Sequence, residues 1–192
     1  MLRLAVAHPE VARIIAPVRT DVPPVPRVTA PRVDFEDLPA DAPWWQADAM
    51  ICTLGTTMRL AGSREAFRRV DHDYVLMAAT LARRAGTPVF ALNSSLGAGV
   101  DAASFYLRVK GETEHDLAAL GFASLTCVRP SLLDGGPRPD RRPAESAALT
   151  LSRWLRPWIP SRYRPVRTEI VAAMLLDAAL GAIPGQHVVT PG

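Results

Sequence analysis

Lysine is almost absent from this chain. Of its 22 basic residues 21 are arginine, and Lys110 stands alone. Where only charge or solubility is required the sequence writes Arg, so the single Lys marks a position that the planar guanidinium fork does not suit. Cysteine is nearly as scarce. Cys52 and Cys127 each sit in an apolar run, which excludes a disulfide framework and reads as two buried free thiols in a reducing compartment. His8, His72, His115 and His187 are scattered, none with a second ligand at metal spacing, so no metal site is expected. No apolar run approaches the ~18 residues that span a bilayer. The N-terminal "MLRLAVAHPEVARII" is cut off by His8, Pro9 and Glu10, so a signal peptide is not expected and the cytoplasm is the expected compartment.

What is present reads as an ordinary soluble domain. The 192 residues are 48% hydrophobic and 21% charged, enough for a single domain over 1–192 with a real core. The net charge of +3 is too mild to point to a nucleic-acid partner, and stable membrane insertion is not expected.

Secondary-structure signals alternate. Residues 1–8 read as the last turns of a helix, 12–19 as a short buried strand, and "RVDFEDL" as the end of another strand at Asp34. A strong strand signal covers 47–57, ending at Gly55 and two threonines. Helical spacing over 63–85 places Phe67, Val70, Tyr74, Val75, Met77 and Leu81 on an apolar side, with "DHDYV" as polar surface beside it. Strands follow at 88–95 and 123–130, separated by a helix near 102–119. Helices near 144–157 and 168–180 and a last strand at "QHVVTP" complete the pattern. The spacing predicts an α/β fold, a Rossmann-like parallel sheet with helices on both faces.

In such a sheet, sites form outside the carboxyl ends of the strands. Three ends carry suggestive text: "CTLGTT", "NSS" and "VRPS". Just after the second comes "SFYLRVKGETE", where Tyr106 and Lys110 stand four apart and so share a helix face. A nearby ammonium favours a phenolate, so such a tyrosine can exchange a proton with a carbonyl or alcohol. A strand-end serine could hold the same oxygen. A bare Tyr-x-x-x-Lys also occurs in many unrelated helices.

Ser95, Tyr106 and Lys110 resemble the catalytic set of the short-chain dehydrogenase/reductases. The blocks "CTLGTT", "FRRVDHDYV", "NSSLGAG", "FYLRVKGETE", "TCVRPSLLDG" and "YRPV" resemble that superfamily's atypical, epimerase-like branch of HIV Tat-interacting oxidoreductase-like proteins, over residues 1 to about 182. The resemblance implies Ser95, Tyr106 and Lys110 as catalytic residues, with Ser94 the fallback serine. It implies Arg19 on the 2′-phosphate of NADPH, Asp34 on the adenine with Asp37 the bland neighbour, and Leu54, Gly55 and Thr56 under the ribose and nicotinamide. Pro130 and Ser131 would lie near the nicotinamide, and Lys110 would also hold ribose. NADP(H) is implied in preference to NAD(H).

The family opens with a strand and a G-x-x-G-x-x-G turn. This sequence begins at Met1 within what should be the first helix, so the expectation is a fold N-terminally truncated relative to the family, either because Met1 is internal to a complete protein, the favoured explanation, or because the chain is truly truncated. The segment 131–168 is expected to form the substrate side or lid. Its "SRWLRPWIPSRYRPVR" interleaves Arg with Trp154, Trp158 and Tyr163, a pattern that could serve a nucleic-acid or membrane surface but is read as a lid or substrate-side segment whose aromatics pack on the core. The expected function is NAD(P)H-dependent hydride transfer to or from a small carbonyl or alcohol, by a monomer or homodimer. The alternatives are a non-catalytic NADPH-binding regulatory or protein-interaction module, or a truncated inactive remnant.

Overall fold

The computed structural model describes residues 1–134 and 165–191. In chain order it contains α1 (Leu2–Ala7), β1 (Ile14–Ile15), β2 (Val28–Thr29), β3 (Ala49–Cys52), α2 (Met58–Ala61), α3 (Arg64–Arg68) and α4 (Tyr74–Arg84). These are followed by β4 (Val89–Asn93), α5 (Phe105–Ala119), β5 (Ser124–Val128), β6 (Leu133–Asp134), β7 (Val166–Arg167), α6 (Thr168–Gly181) and β8 (Gly185–Val189).

The apolar runs at 49–52, 89–93 and 124–128 pair as parallel strands, and β8 joins them in the order β3-β4-β5-β8. Alternation within each strand sends side chains to opposite faces. Cys52, Phe90, Leu92, Leu125 and Cys127 meet Val75 and Ala79 of α4 and Leu117 of α5. Ala91 and Val128 meet Val171 and Leu175 of α6 on the other face. The expected parallel sheet with helices on both faces is therefore present, and the strands' carboxyl ends share one edge.

The strands before β3 are shorter than expected. β1 holds two half-buried residues, and β2 ends at Thr29, well before Asp34. Pro17 and Pro31 lack N–H groups and interrupt the ladder, which resumes only as a parallel bridge between Val18 and Arg32. This pair forms a sheet separate from the four-stranded one. The helix expected at 144–157 and residues 135–164 of the expected lid lie outside the described residues.

The 63–85 helix is not uniform. Ser63 caps α3 by accepting a hydrogen bond from Ala66 N at 3.0 Å. Between α3 and α4 the turn Arg69–Asp73 is π-helical. One extra residue per turn shifts the helical phase, so Asp71 and His72 turn inward. The reading of "DHDYV" as polar surface is corrected: Asp71 is 1% exposed and His72 8%. His72 bridges Asp73 and Asp116 through its two ring nitrogens, at 2.7 and 2.8 Å, tying this turn to α5. Met77, expected on the apolar side, is exposed.

The loop after β4 rests on α5 through glycine. A Cβ at Gly111 would lie 2.2 Å from the carbonyl carbon of Gly99 and 2.4 Å from its Cα and nitrogen. Gly99 N also donates to Leu107 O at 3.3 Å. Backbone packs on backbone here, and only glycine permits it. Gly111→Ala is therefore expected to destabilise the fold by about 3 kcal/mol, the upper range for overpacking. Gly181→Ala, whose added Cβ meets nothing within 4 Å, is the control. Denaturant melts of the two variants, superimposing on each other, would contradict this packing argument.

Candidate active site

Three strand ends and one helix build the site. Beyond β3 the chain turns through Leu54, Gly55 and Thr56, and Gly55 is exposed. Beyond β4 come Ser94 and Ser95, and beyond β5 come Arg129, Pro130 and Ser131. Ser94 N donates to Val128 O and Leu96 N to Pro130 O, each at 2.8 Å, so the last two ends are locked side by side. Helix α5 crosses this edge with Tyr106 and Lys110 one turn apart.

The lone lysine is buried. Lys110 is 5% exposed, and its Nζ lies 2.7 Å from Oδ1 of Asp71. The second oxygen of Asp71 accepts Thr56 N at 2.7 Å. Thr113 shares its hydroxyl proton between the Asp71 carbonyl at 3.0 Å and that of Val109 at 2.8 Å. A Cβ at Gly55 would stand 3.1 Å from Asp71 Oδ1 and 3.6 Å from Lys110 Nζ. The strand-end turn thus lies directly over a buried ion pair. Sequence reasoning missed Asp71. The only signal for it was an acidic residue within helical spacing of Phe67 and Val75, and the π-turn hid its inward direction.

The two serines separate. Ser94 is buried and donates to Glu114, which Arg129 grips through Nε at 3.0 Å and Nη2 at 2.5 Å. Ser94 is committed to that structural network. Ser95 is half-buried, and neither its hydroxyl nor that of Tyr106 is hydrogen-bonded among the described residues. Tyr106 is half-buried with its ring 5.5 Å from that of Phe67.

The outer candidates gather at the end of the small sheet. Val33 N donates to Val18 O at 2.9 Å, which brings the residues after each, Arg19 and Asp34, to the same end. Arg19 is exposed, whereas Asp34 Oδ1 accepts Glu36 N at 2.9 Å in a local turn. Pro130 is buried and Ser131 half-buried beside the β4 end.

No family profile matches the chain. Curated relatives do. The chain is 42% identical over 144 residues to Protein HTATIP2 of Rattus norvegicus, an alignment covering 74% of this chain and 59% of that protein. It is 30% identical over 141 residues to Protein FMP52, mitochondrial, of Candida albicans, covering 73% and 62%. Among solved structures, MoeE5 in complex with UDP-glucose and NAD superposes with a TM-score of 0.67 at 18% identity, over 94% of this chain and 68% of that one. The dTDP-4-dehydrorhamnose reductase of Bacillus anthracis in complex with NADP gives 0.56 at 14%, over 86% and 67%.

In sequence the chain is similar to the HTATIP2 and FMP52 proteins, relatives of the atypical short-chain dehydrogenase/reductase type, and in fold to nicotinamide-dinucleotide-binding proteins.

It spans about three fifths of the length of these curated relatives. The comparison corrects one expectation. The fungal relatives are described as mitochondrial, which points away from the cytoplasm. Free thiols suit any reducing compartment, so composition could not separate the two. Among the described residues no helix is long and apolar enough to cross a membrane.

A groove of about 410 Å³ flanks α5, lined by Gly111, Glu114, His115, Cys127, Gln186 and Val188. None of Ser95, Tyr106 and Lys110 lines it. Glu114 is committed to Arg129, and burial first, then Glu114, pushes the Cys127 thiol up to about 12. Burial raises the Cys52 thiol as well. Both cysteines are free and buried as expected. The folded chain keeps these protons after an unfolded chain, with thiols near 9.0, has lost them. Their contribution to stability is thus full below pH 9 and falls as pH rises toward 12. Ellman's reagent at pH about 8 should label neither thiol in the folded chain and both in denaturant, since the thiolate is the nucleophile. Rapid native labelling would refute their burial.

Proposed function

We propose that this chain forms the core of an NADPH-dependent short-chain reductase acting on a small carbonyl compound. The observation that carries the reading is the pairing of two hydroxyls without hydrogen-bond partners among the described residues, on Tyr106 and Ser95, with the buried Lys110 ammonium at the carboxyl ends of β3 and β4. The residues present fit a nicotinamide dinucleotide. Gly55 presents bare backbone, with the Lys110 ammonium beneath it as a donor for ribose hydroxyls. Exposed Arg19 offers a planar fork suited to the 2′-phosphate that distinguishes NADPH, and Asp34 lies at the same end for the adenine. When bound, the reduced nicotinamide supplies the hydride.

The protein's own residues handle the oxygen. Ser95 donates to the carbonyl oxygen and orients it. Tyr106 passes its hydroxyl proton to that oxygen as the carbonyl carbon is reduced. Lys110 stands one helical turn away on the same face of α5. Leu54, Gly55 and Thr56 would lie under the ribose and nicotinamide, and Pro130 and Ser131 would lie near the nicotinamide. Substrate identity rests with loops rather than with the fold. The related and superposing proteins support an oxidoreductase-type role.

Fluorescence titration of the 192-residue chain with NADPH, and with NADH alongside, tests this directly. Micromolar binding, tighter for NADPH, is expected. Arg19→Ala should weaken NADPH about tenfold and leave NADH unchanged, the scale of a charged hydrogen bond. Tyr106→Phe should keep nucleotide binding and lose about 100-fold or more of carbonyl-dependent NADPH oxidation. A folded chain that binds neither nucleotide would overturn the reading. Binding with no difference between Tyr106 and Phe in turnover would favour a non-catalytic nucleotide-binding module.

A further inference from the structure

Asp71 has no part in the reading above, yet its position is the most constrained in the site. It is 1% exposed and sits in the π-helical turn, held from three sides. Its Oδ2 takes the Thr56 amide, its backbone carbonyl takes the Thr113 hydroxyl, and its Oδ1 stands 2.7 Å from Lys110 Nζ. The last contact is charge pairing without an aligned hydrogen bond, since Oδ1 has no hydrogen-bond partner. A buried carboxylate and a buried ammonium each need the other, because neither has water.

The geometry points to Asp71 as a positioning residue for Lys110. One carboxylate joins the strand-end turn at Thr56 to the ammonium on α5, so both surfaces that would receive the nicotinamide ribose are set by a single side chain. We infer that Asp71 holds Lys110 in place beneath Gly55 before any dinucleotide arrives. Helix α5 alone could not do this. A lysine has four rotatable side-chain bonds, and an unpaired one would swing toward water. This inference rests on the proposed reductase reading, but its first test does not.

Lys110 is the only lysine, so protein labelled with ¹³Cε-lysine gives one side-chain signal and needs no assignment. In the parent chain the two Hε protons should be resolved from each other, as for an immobilised side chain. In Asp71→Asn, which keeps shape and an acceptor for Thr56 N, they should collapse to one averaged line. Asp116→Asn is the control. It loosens the same turn through His72 and leaves the Asp71 carboxylate in place, so the pinned signature should persist whatever its melting temperature. In carbonyl-dependent NADPH oxidation Asp71→Asn should lose about 100-fold in kcat, the scale of a 1 Å misplacement, with a smaller change in KM. Asp116→Asn should lose far less at an equal fall in melting temperature.

An averaged lysine signal in the parent, or a pinned one in Asp71→Asn, overturns the positioning role. So does an equal kcat loss in Asp116→Asn. If the parent binds no nucleotide while its lysine is pinned and Asp71→Asn frees it, the reductase reading fails and the Asp71–Lys110 assignment stands.

Discussion

The arrangement depends on a charge that has been taken out of water. Lys110 is 5% exposed and Asp71 1%, with 2.7 Å between ammonium and carboxylate. A buried ion pair adds little net stability, because desolvation offsets the attraction, but removing one partner is severe. The pair therefore specifies geometry more than it strengthens the fold. It fastens the turn after β3, the π-turn before α4 and the middle of α5 to one point. Everything else that faces the carboxyl edge of the sheet is placed relative to that point.

Two further constraints complete the frame. The close approach of Gly99 to Gly111 brings the loop after Ser95 down onto α5, where any side chain would hold it off. The Ser94–Glu114–Arg129 network ties the end of β4 to α5 and to the end of β5. The consequence is a division of labour between adjacent serines. One hydroxyl is consumed by structure, and the next has no hydrogen-bond partner among the described residues. The His72 bridge between Asp73 and Asp116 braces the same helix from the opposite end of the π-turn.

Much of the architecture was legible from local pattern. The strands β3, β4 and β5 are short apolar runs, α5 falls within its expected span, and α6 runs one residue beyond its own. The alternation of strands and helices along the chain predicted a sheet with helices on both faces, and both faces are covered. Less legible was the region before β3, where prolines cut the ladder to two-residue strands. The 63–85 helix was read with a constant period, so the inward turn of Asp71 and His72 was lost. A π-turn leaves no reliable mark in composition, because its extra residue is stabilised by what it contacts.

By itself the sequence determined the parallel α/β order, the placing of Tyr106 and Lys110 on one helix face, and the free state of both thiols. These follow from periodicities and residue chemistry that act over a few positions. Only the tertiary structure decided which serine is free, what partners the lone lysine, and which acid is buried beneath Gly55. Those outcomes depend on contacts between residues 15 to 42 positions apart, such as Thr56 with Asp71 and Asp71 with Thr113, and no local pattern encodes them.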